Sequence, residues 1–147
     1  MLTDGNISLR LLRKDDLDFL YSIENDPTNY QYTKESNYFS KEILSKYISN
    51  ASVDIGVYNQ LRFVISFKKN PIGLIDLFDY DRGSSKAGVS ILILEGFRSK
   101  QHGSKALELL ISYSWNSLDL LSLFANIKEE NIKSISLFNK FNFLKKD

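Results

Sequence analysis

The sequence predicts one mixed α/β domain built in layers, with antiparallel strands at its centre and helices packed against them. Three observations carry that expectation. The 147 residues are 43% apolar and 25% charged, the balance of an ordinary globular domain. Strand-like apolar runs occupy the middle of the chain, and apolar residues at helical spacing lie on either side of them. No repeat, low-complexity tract or Pro/Gly/Ser-rich linker divides residues 1–147, whose only prolines are Pro27 and Pro71, so the chain reads as a single domain.

In order, Ile7, Leu9 and Leu11 alternate with Ser8 and Arg10 as a short strand. Lys14-Asp15-Asp16 opens a helix with Leu17, Leu20 and Tyr21 on one face. Acids in its first turn suit the positive end of the dipole, and Asn25-Asp26-Pro27 stops it. Ser40 caps a second helix that carries Ile43, Leu44, Tyr47 and Ile48. Three strands follow, Leu61 to Lys68, Ile72 to Tyr80 and Ala87 to Leu94, with connections short enough for antiparallel hairpins. A polar loop from Gly96 to Gly103 leads to a helix with Leu107, Leu110, Ile111 and Trp115 spaced for a buried face. Leu121 to Ile127 reads as a further strand, Asn131 to Phe141 as the last helix, and Phe143-Leu144 as the start of another extended run.

Composition removes several classes of function. Nineteen Lys and Arg against eighteen Asp and Glu leave a net charge of +1, which argues against a nucleic-acid partner. With no Cys and a single His102, neither a metal centre, a disulfide framework nor a cysteine nucleophile is expected. The longest apolar stretch, near Ile91 to Leu94, is far below the roughly 18 to 20 residues of a membrane span. Met1 to Arg10 lacks a basic segment followed by an apolar run. The expectation is a soluble cytoplasmic protein without a membrane partner.

The functional signal is Arg98-Ser99-Lys100-Gln101-His102-Gly103-Ser104, between a buried strand and an amphipathic helix. Free N–H groups and the dipole at a helix start favour an anion, and Arg98 and Lys100 add charge. Gly103 would admit a ligand close to the backbone or a positive φ, and Ser104 is placed to cap the helix. The same residues would also serve a plain solvated turn. The glycines of a dinucleotide fingerprint and the Gly-Lys-Ser/Thr end of a P-loop are missing.

The segment Phe97 to Ala106 resembles the acetyl-CoA loop of GNAT-type N-acetyltransferases, written Arg/Gln-x-x-Gly-x-Gly/Ala: Arg98 and Gly103 match, and Gln101 replaces the first glycine. Gln60 to Ile65 with Ile72 to Leu77 resembles the family's central hairpin. Asn131 to Phe143 resembles its closing pattern Asn-x-x-Ser/Ala-x-x-x-Tyr-x-x-x-Gly-Phe. The order of elements matches from Ile7 to Phe143, with the likeness strongest to the spermidine/diamine and ribosomal-protein N-terminal branch.

The resemblance implies a GNAT-like fold with a central, mostly antiparallel sheet flanked by helices. It also implies direct transfer of an acetyl group from acetyl-CoA to a primary amine, either a polyamine or a protein N-terminus. It places the pantetheine arm and thioester beside Ile91, Leu92 and Ile93, where a fixed N–H would stabilise the oxyanion. The pyrophosphate would rest on Gln101, His102, Gly103 and Ser104 with Arg98 and Lys100, and Asn131, otherwise a helix cap, would reach the pantetheine. Asp76 is the candidate to take the amine's proton, since it shares a strand face with Ile72, Leu74 and Phe78, a setting that disfavours charge. Its plain alternative is a carboxylate satisfied by backbone or by a basic partner. Glu35 is the candidate to hold a cationic amine, and a polyamine site would gather it with Glu24, Asp26, Asp76 and Asp79. His102 is expected near phosphate and not as a base.

Four departures from the family pattern stand out. Phe138 occupies the place of a Tyr that protonates the departing CoA thiolate, and a phenyl ring cannot donate. The alternative function is therefore a catalytically weak or silent GNAT-like CoA-binding module. Gln101 would cost about 1–2 kcal/mol if the loop needs positive φ, whereas Asn142 in place of Gly tolerates it. The family continues beyond the Phe143 position with a two-strand hairpin, and here only Phe143 to Asp147 remain. A C-terminally short domain without its last strand is expected to be covered by a second subunit in a tight homodimer, or to be weakly stable.

Overall fold

The computed structural model describes residues 2–27 and 38–146. Their strands are β1 (Leu2–Asp4), β2 (Ile7–Leu11), β3 (Leu61–Phe67), β4 (Asn70–Asp81), β5 (Lys86–Ile93) and β6 (Ser122–Phe124). Their helices are α1 (Leu17–Glu24), α2 (Lys41–Asn50), α3 (Ile55–Tyr58), α4 (His102–Asn116) and α5 (Ile132–Lys140). The strands form one sheet in sequence order. Every neighbouring pair is antiparallel except β5 and β6, which run parallel.

Strand alternation sorts the apolar residues into two cores. Phe63, Ile65, Ile75, Leu77 and Val89 pack with Leu107 and Leu110 of α4 and Phe138 of α5. Val64 and Leu74, one residue out of phase, pack on the opposite face with Leu20 and Ile23 of α1 and Leu44 and Ile48 of α2. The turn joining β3 to β4 is made by Lys68 and Lys69, both left-handed with φ of 49° and 70°, the backbone that matches strand twist in a two-residue hairpin. At the end of β2, Arg10 donates to both oxygens of buried Asp16 at 2.8 and 2.7 Å, and the Arg13 N–H donates to Asp16 Oδ2 at 2.7 Å. Burial by itself would push this carboxyl up, but those hydrogen bonds outweigh it and hold it below the usual range. The clasp fixes where α1 leaves the sheet.

The expected layers and the central antiparallel strands are present, with differences of physical origin. β1 and α3 are three and four residues long, too short to impose a period on the sequence. The first helix begins as a 3-10 turn over Lys14–Asp16. Of the expected strand Leu121 to Ile127, only Ser122–Phe124 pairs. Ala125 and Ile127 leave the sheet yet pack against the core, which explains why their apolar pattern continues. Phe143 and Leu144 form no strand among the described residues; the Phe143 ring instead meets Phe138 edge-on at 4.9 Å. No described helix is long and apolar enough to cross a membrane.

Candidate active site

The site begins where β5 and β6 part. Their parallel rungs are Lys86 to Ser122, Ala87 to Leu123 and Gly88 to Phe124, and β5 then continues to Ile93 with no described strand beside its outer edge. The Leu94 N–H donates back to the Ile72 carbonyl at 2.8 Å. By strand alternation, Ser90 and Leu92 therefore direct their backbone groups towards β4, while Val89, Ile91 and Ile93 direct theirs into the gap. The Ile93 carbonyl is already taken by Arg98 Nε at 2.8 Å. Of the three residues expected to line a pantetheine arm, Ile91 offers both backbone groups and Ile93 its N–H. Leu92 is a correction: its backbone belongs to the β4 ladder and its side chain packs in the α1/α2 core. Val89 has the right backbone direction and escaped sequence reasoning, because side-chain type does not report which way an N–H points.

At the start of α4, the N–H groups of His102, Gly103 and Ser104 precede the first intrahelical bond, from Lys105 N–H to the Gln101 carbonyl at 3.2 Å. Gln101 is the N-cap with φ of 66° and caps with no side-chain hydrogen bond. Two expectations are corrected here. The positive φ falls on Gln101 and Ser99 and not on Gly103, and Ser104 lies inside the helix and not at its cap. A Cβ at Gly103 would meet Ile91 and Leu137 at 3.6 Å, so this residue brings the helix start against the open strand edge. Gln101→Gly is expected to stabilise the fold by about 1 kcal/mol, since glycine removes the left-handed strain; a denaturant midpoint raised at constant slope checks it.

Arg98 and Lys100 flank this helix start as expected, and a third cation joins them. Lys133 of α5 reaches Ser99 Oγ with its Nζ at 3.4 Å; its only sequence signal is a place in the first turn of the last helix. Asn131 caps that helix, its Oδ1 accepting from the Ser134 N–H at 3.2 Å, so the plainer of its two expected roles is the one seen. His102 is also a correction. Its side chain is buried, with the ring 4.4 Å from Phe67 and 6.3 Å from Phe97, so the imidazole packs into the core and is not a loop side chain open to a phosphate. Burial first, then Lys100 and Lys105, push its imidazole below the ordinary value of 6.5. The unfolded chain thus binds this proton more readily than the native one, and stability should fall as pH drops below about 6.5. In His102→Phe that part of the pH dependence should vanish, as thermal melts between pH 5 and 7 would show.

The opposite face of the sheet carries the charged cluster. Arg62, Asp76 and Ser90 lie on consecutive rungs of β3, β4 and β5. Arg62 Nε and Nη2 donate to the two oxygens of Asp76 at 2.8 and 2.7 Å, and its Nη1 donates to Glu24 Oε1 of α1 at 2.9 Å. Burial would lower the guanidinium, but Asp76 outweighs it and raises its value. Asp76 is therefore not a carboxylate left among apolar neighbours; the basic partner named as its alternative is Arg62, invisible in sequence because it lies 14 residues away. A cleft of about 440 Å³ borders the cluster, lined among others by Leu12, Tyr47, Ile48, Tyr58, Gln60 and Arg62. Asp79 is exposed at the β4 bulge, and Glu35 lies outside the described residues. Phe138 is 4% exposed in the α4/α5 core, so no hydroxyl stands at this position.

A parted pair of parallel strands, an open strand edge and a cation-flanked helix start together fit a long anionic ligand with a peptide-like arm. The family model "Acetyltransferase (GNAT) domain" matches residues 6–144. The chain belongs to this acetyltransferase family. It is accordingly an acetyl-CoA-dependent acyltransferase, and acetyl-CoA is its co-substrate. Among curated relatives, spermidine N(1)-acetyltransferase of Escherichia coli (strain K12) is 24% identical over 142 residues, covering 94% of this chain and 73% of that enzyme. The Vibrio cholerae enzyme of the same name is 25% identical over 146 residues, covering 96% and 80%. The crystal structure of spermidine N-acetyltransferase from Vibrio cholerae in complex with CoA and spermine superposes with a TM-score of 0.87 at 23% identity, over 98% of this chain and 84% of that one. A GNAT-family acetyltransferase from Bacillus anthracis has the same fold, with a TM-score of 0.82 at 16% identity over 99% and 84%.

Proposed function

We propose that this acetyltransferase acts on primary amines, with polyamines as the first acceptor class and a protein N-terminus as the second. The observation that carries the reading is the placement of one cation, Arg62, between two carboxylates, Glu24 and Asp76, on the sheet face beside the open edge of β5. Carboxylates gathered on this face suit the approach of a cationic amine. The names of the relatives point to the same class.

In this reading the α4 N–H groups with Arg98, Lys100 and Lys133 hold the pyrophosphate. An outward N–H of β5 polarises the thioester carbonyl and stabilises the oxyanion that forms on attack. Both oxygens of Asp76 already accept from Arg62, so Asp76 attracts the ammonium while solvent takes the proton. The test is thiol release from acetyl-CoA with spermidine, spermine, putrescine and an N-terminal peptide. Turnover with the polyamines is expected; no release with any amine, together with no acetyl-CoA binding by calorimetry, would overturn the reading.

A second reading, a catalytically weak or silent CoA-binding module, is favoured by the phenyl ring of Phe138. If thiolate protonation limits the rate, Phe138→Tyr should raise kcat by about 10²-fold, and an unchanged kcat would show that solvent already serves. We also propose a cytoplasmic homo-oligomer in which a second copy covers the β6 edge of the described sheet. The Vibrio cholerae relative is described as dodecameric in one structure. A monomer by light scattering would count against the assembly.

A further inference from the structure

Ser90 stands on β5 between Val89 and Ile91, two residues whose backbone groups face the gap. Its own side chain lies on the other face of the strand, exposed and on the rung opposite Asp76. Ser90 Oγ is 3.3 Å from Asp76 Oδ2, the same oxygen that accepts from Arg62 Nη2 at 2.7 Å. With its other oxygen bound by Arg62 Nε at 2.8 Å, the carboxylate is an acceptor only. The single hydrogen of Ser90 is therefore committed to Asp76. What remains of this hydroxyl is a pair of acceptor sites, at the point along β5 where the strand has parted from β6.

We propose that Ser90 Oγ accepts a hydrogen bond from the attacking amine and so seats its nitrogen beside the β5 segment that holds the acetyl thioester. This rests on the acetyl-transfer reading above. The ammonium gives one proton to solvent, and the neutral amine keeps one N–H on Ser90 with its lone pair free to attack. The nitrogen–carbon bond forms, the carbon–sulfur bond breaks, and the remaining surplus proton of the nitrogen leaves as the thiolate is protonated. Ser90 orients and does not act as a base.

Ser90→Ala and Ser90→Thr, assayed with spermidine and with butylamine, test the assignment. In Ser90→Ala, kcat/KM for both amines should fall about 10- to 100-fold, the loss expected for one hydrogen bond to a charged or reacting group. Its acetyl-CoA affinity by calorimetry and its thermal midpoint should stay at the wild-type values. Ser90→Thr, which keeps the hydroxyl and suits a strand, should recover most of the rate. A Ser90→Ala protein as active as wild type, or a Ser90→Thr protein no better than Ser90→Ala, overturns the assignment alone. A wild-type protein that binds acetyl-CoA but acetylates neither amine overturns the amine reading, and the role of Ser90 with it.

Discussion

Arg62→Ala is expected to destabilise the protein by about 3–5 kcal/mol at pH 7, because it leaves two largely buried carboxylates, Glu24 and Asp76, without their shared cation. In the native protein Arg62 meets Asp76 at 2.7 Å and Glu24 at 2.9 Å, with its side chain 22% exposed and theirs 15% and 18%. The cause can be checked by neutralising the acids. Adding Asp76→Asn and Glu24→Gln to Arg62→Met should restore much of the stability, since a neutral cluster has no unpaired charge to desolvate. Urea denaturation at pH 7 measures each step. A cost within about 1 kcal/mol for Arg62→Ala would mean that the cluster is solvated and has no organising role.

Ile91→Pro is expected to lower kcat by about 10²–10³-fold while the protein still folds, the loss measured elsewhere for removing one oxyanion donor. The reasoning is that the Ile91 N–H faces the gap between β5 and β6, so proline deletes a donor that the β4 ladder does not use, as at a sheet edge. Leu92→Pro, one residue along, removes an N–H that faces β4 and should cost about 3 kcal/mol or more in stability. The contrast is the decisive measurement. Equal damage to folding from both prolines, by circular dichroism and thermal melting, would show that the backbone directions of β5 have been misassigned.

Much of the fold was legible because periodicity is local. The strands around Phe63, Ile75 and Val89 and the helix carrying Leu107 and Leu110 announce themselves through side chains two or three to four residues apart, and they form the main core. The cap at Ser40, which accepts from the Ile43 N–H at 3.2 Å, was equally visible, since capping chemistry spans three residues. The loop was legible in charge and not in conformation. Arg98 and Lys100 lie where expected, but the left-handed residue is Gln101 and the glycine is an ordinary helical one. His102 read as a loop residue because nothing nearby in sequence shows that Phe67 and Phe97 close around it.

The sequence by itself determined the layer order, the cationic character of the loop before α4 and the family to which those motifs point. The tertiary structure alone decided that Val89 and Ile91 face the gap while Leu92 does not, that Lys133 crosses to Ser99, and that Arg62 joins Asp76 to Glu24. The physical reason is the range of the forces involved. Propensity, capping and amphipathic spacing act within a turn or two of chain. The direction of a strand's N–H groups depends on register with a neighbour, and the Arg62 to Glu24 ion pair joins residues 38 apart, which only the folded sheet brings within reach.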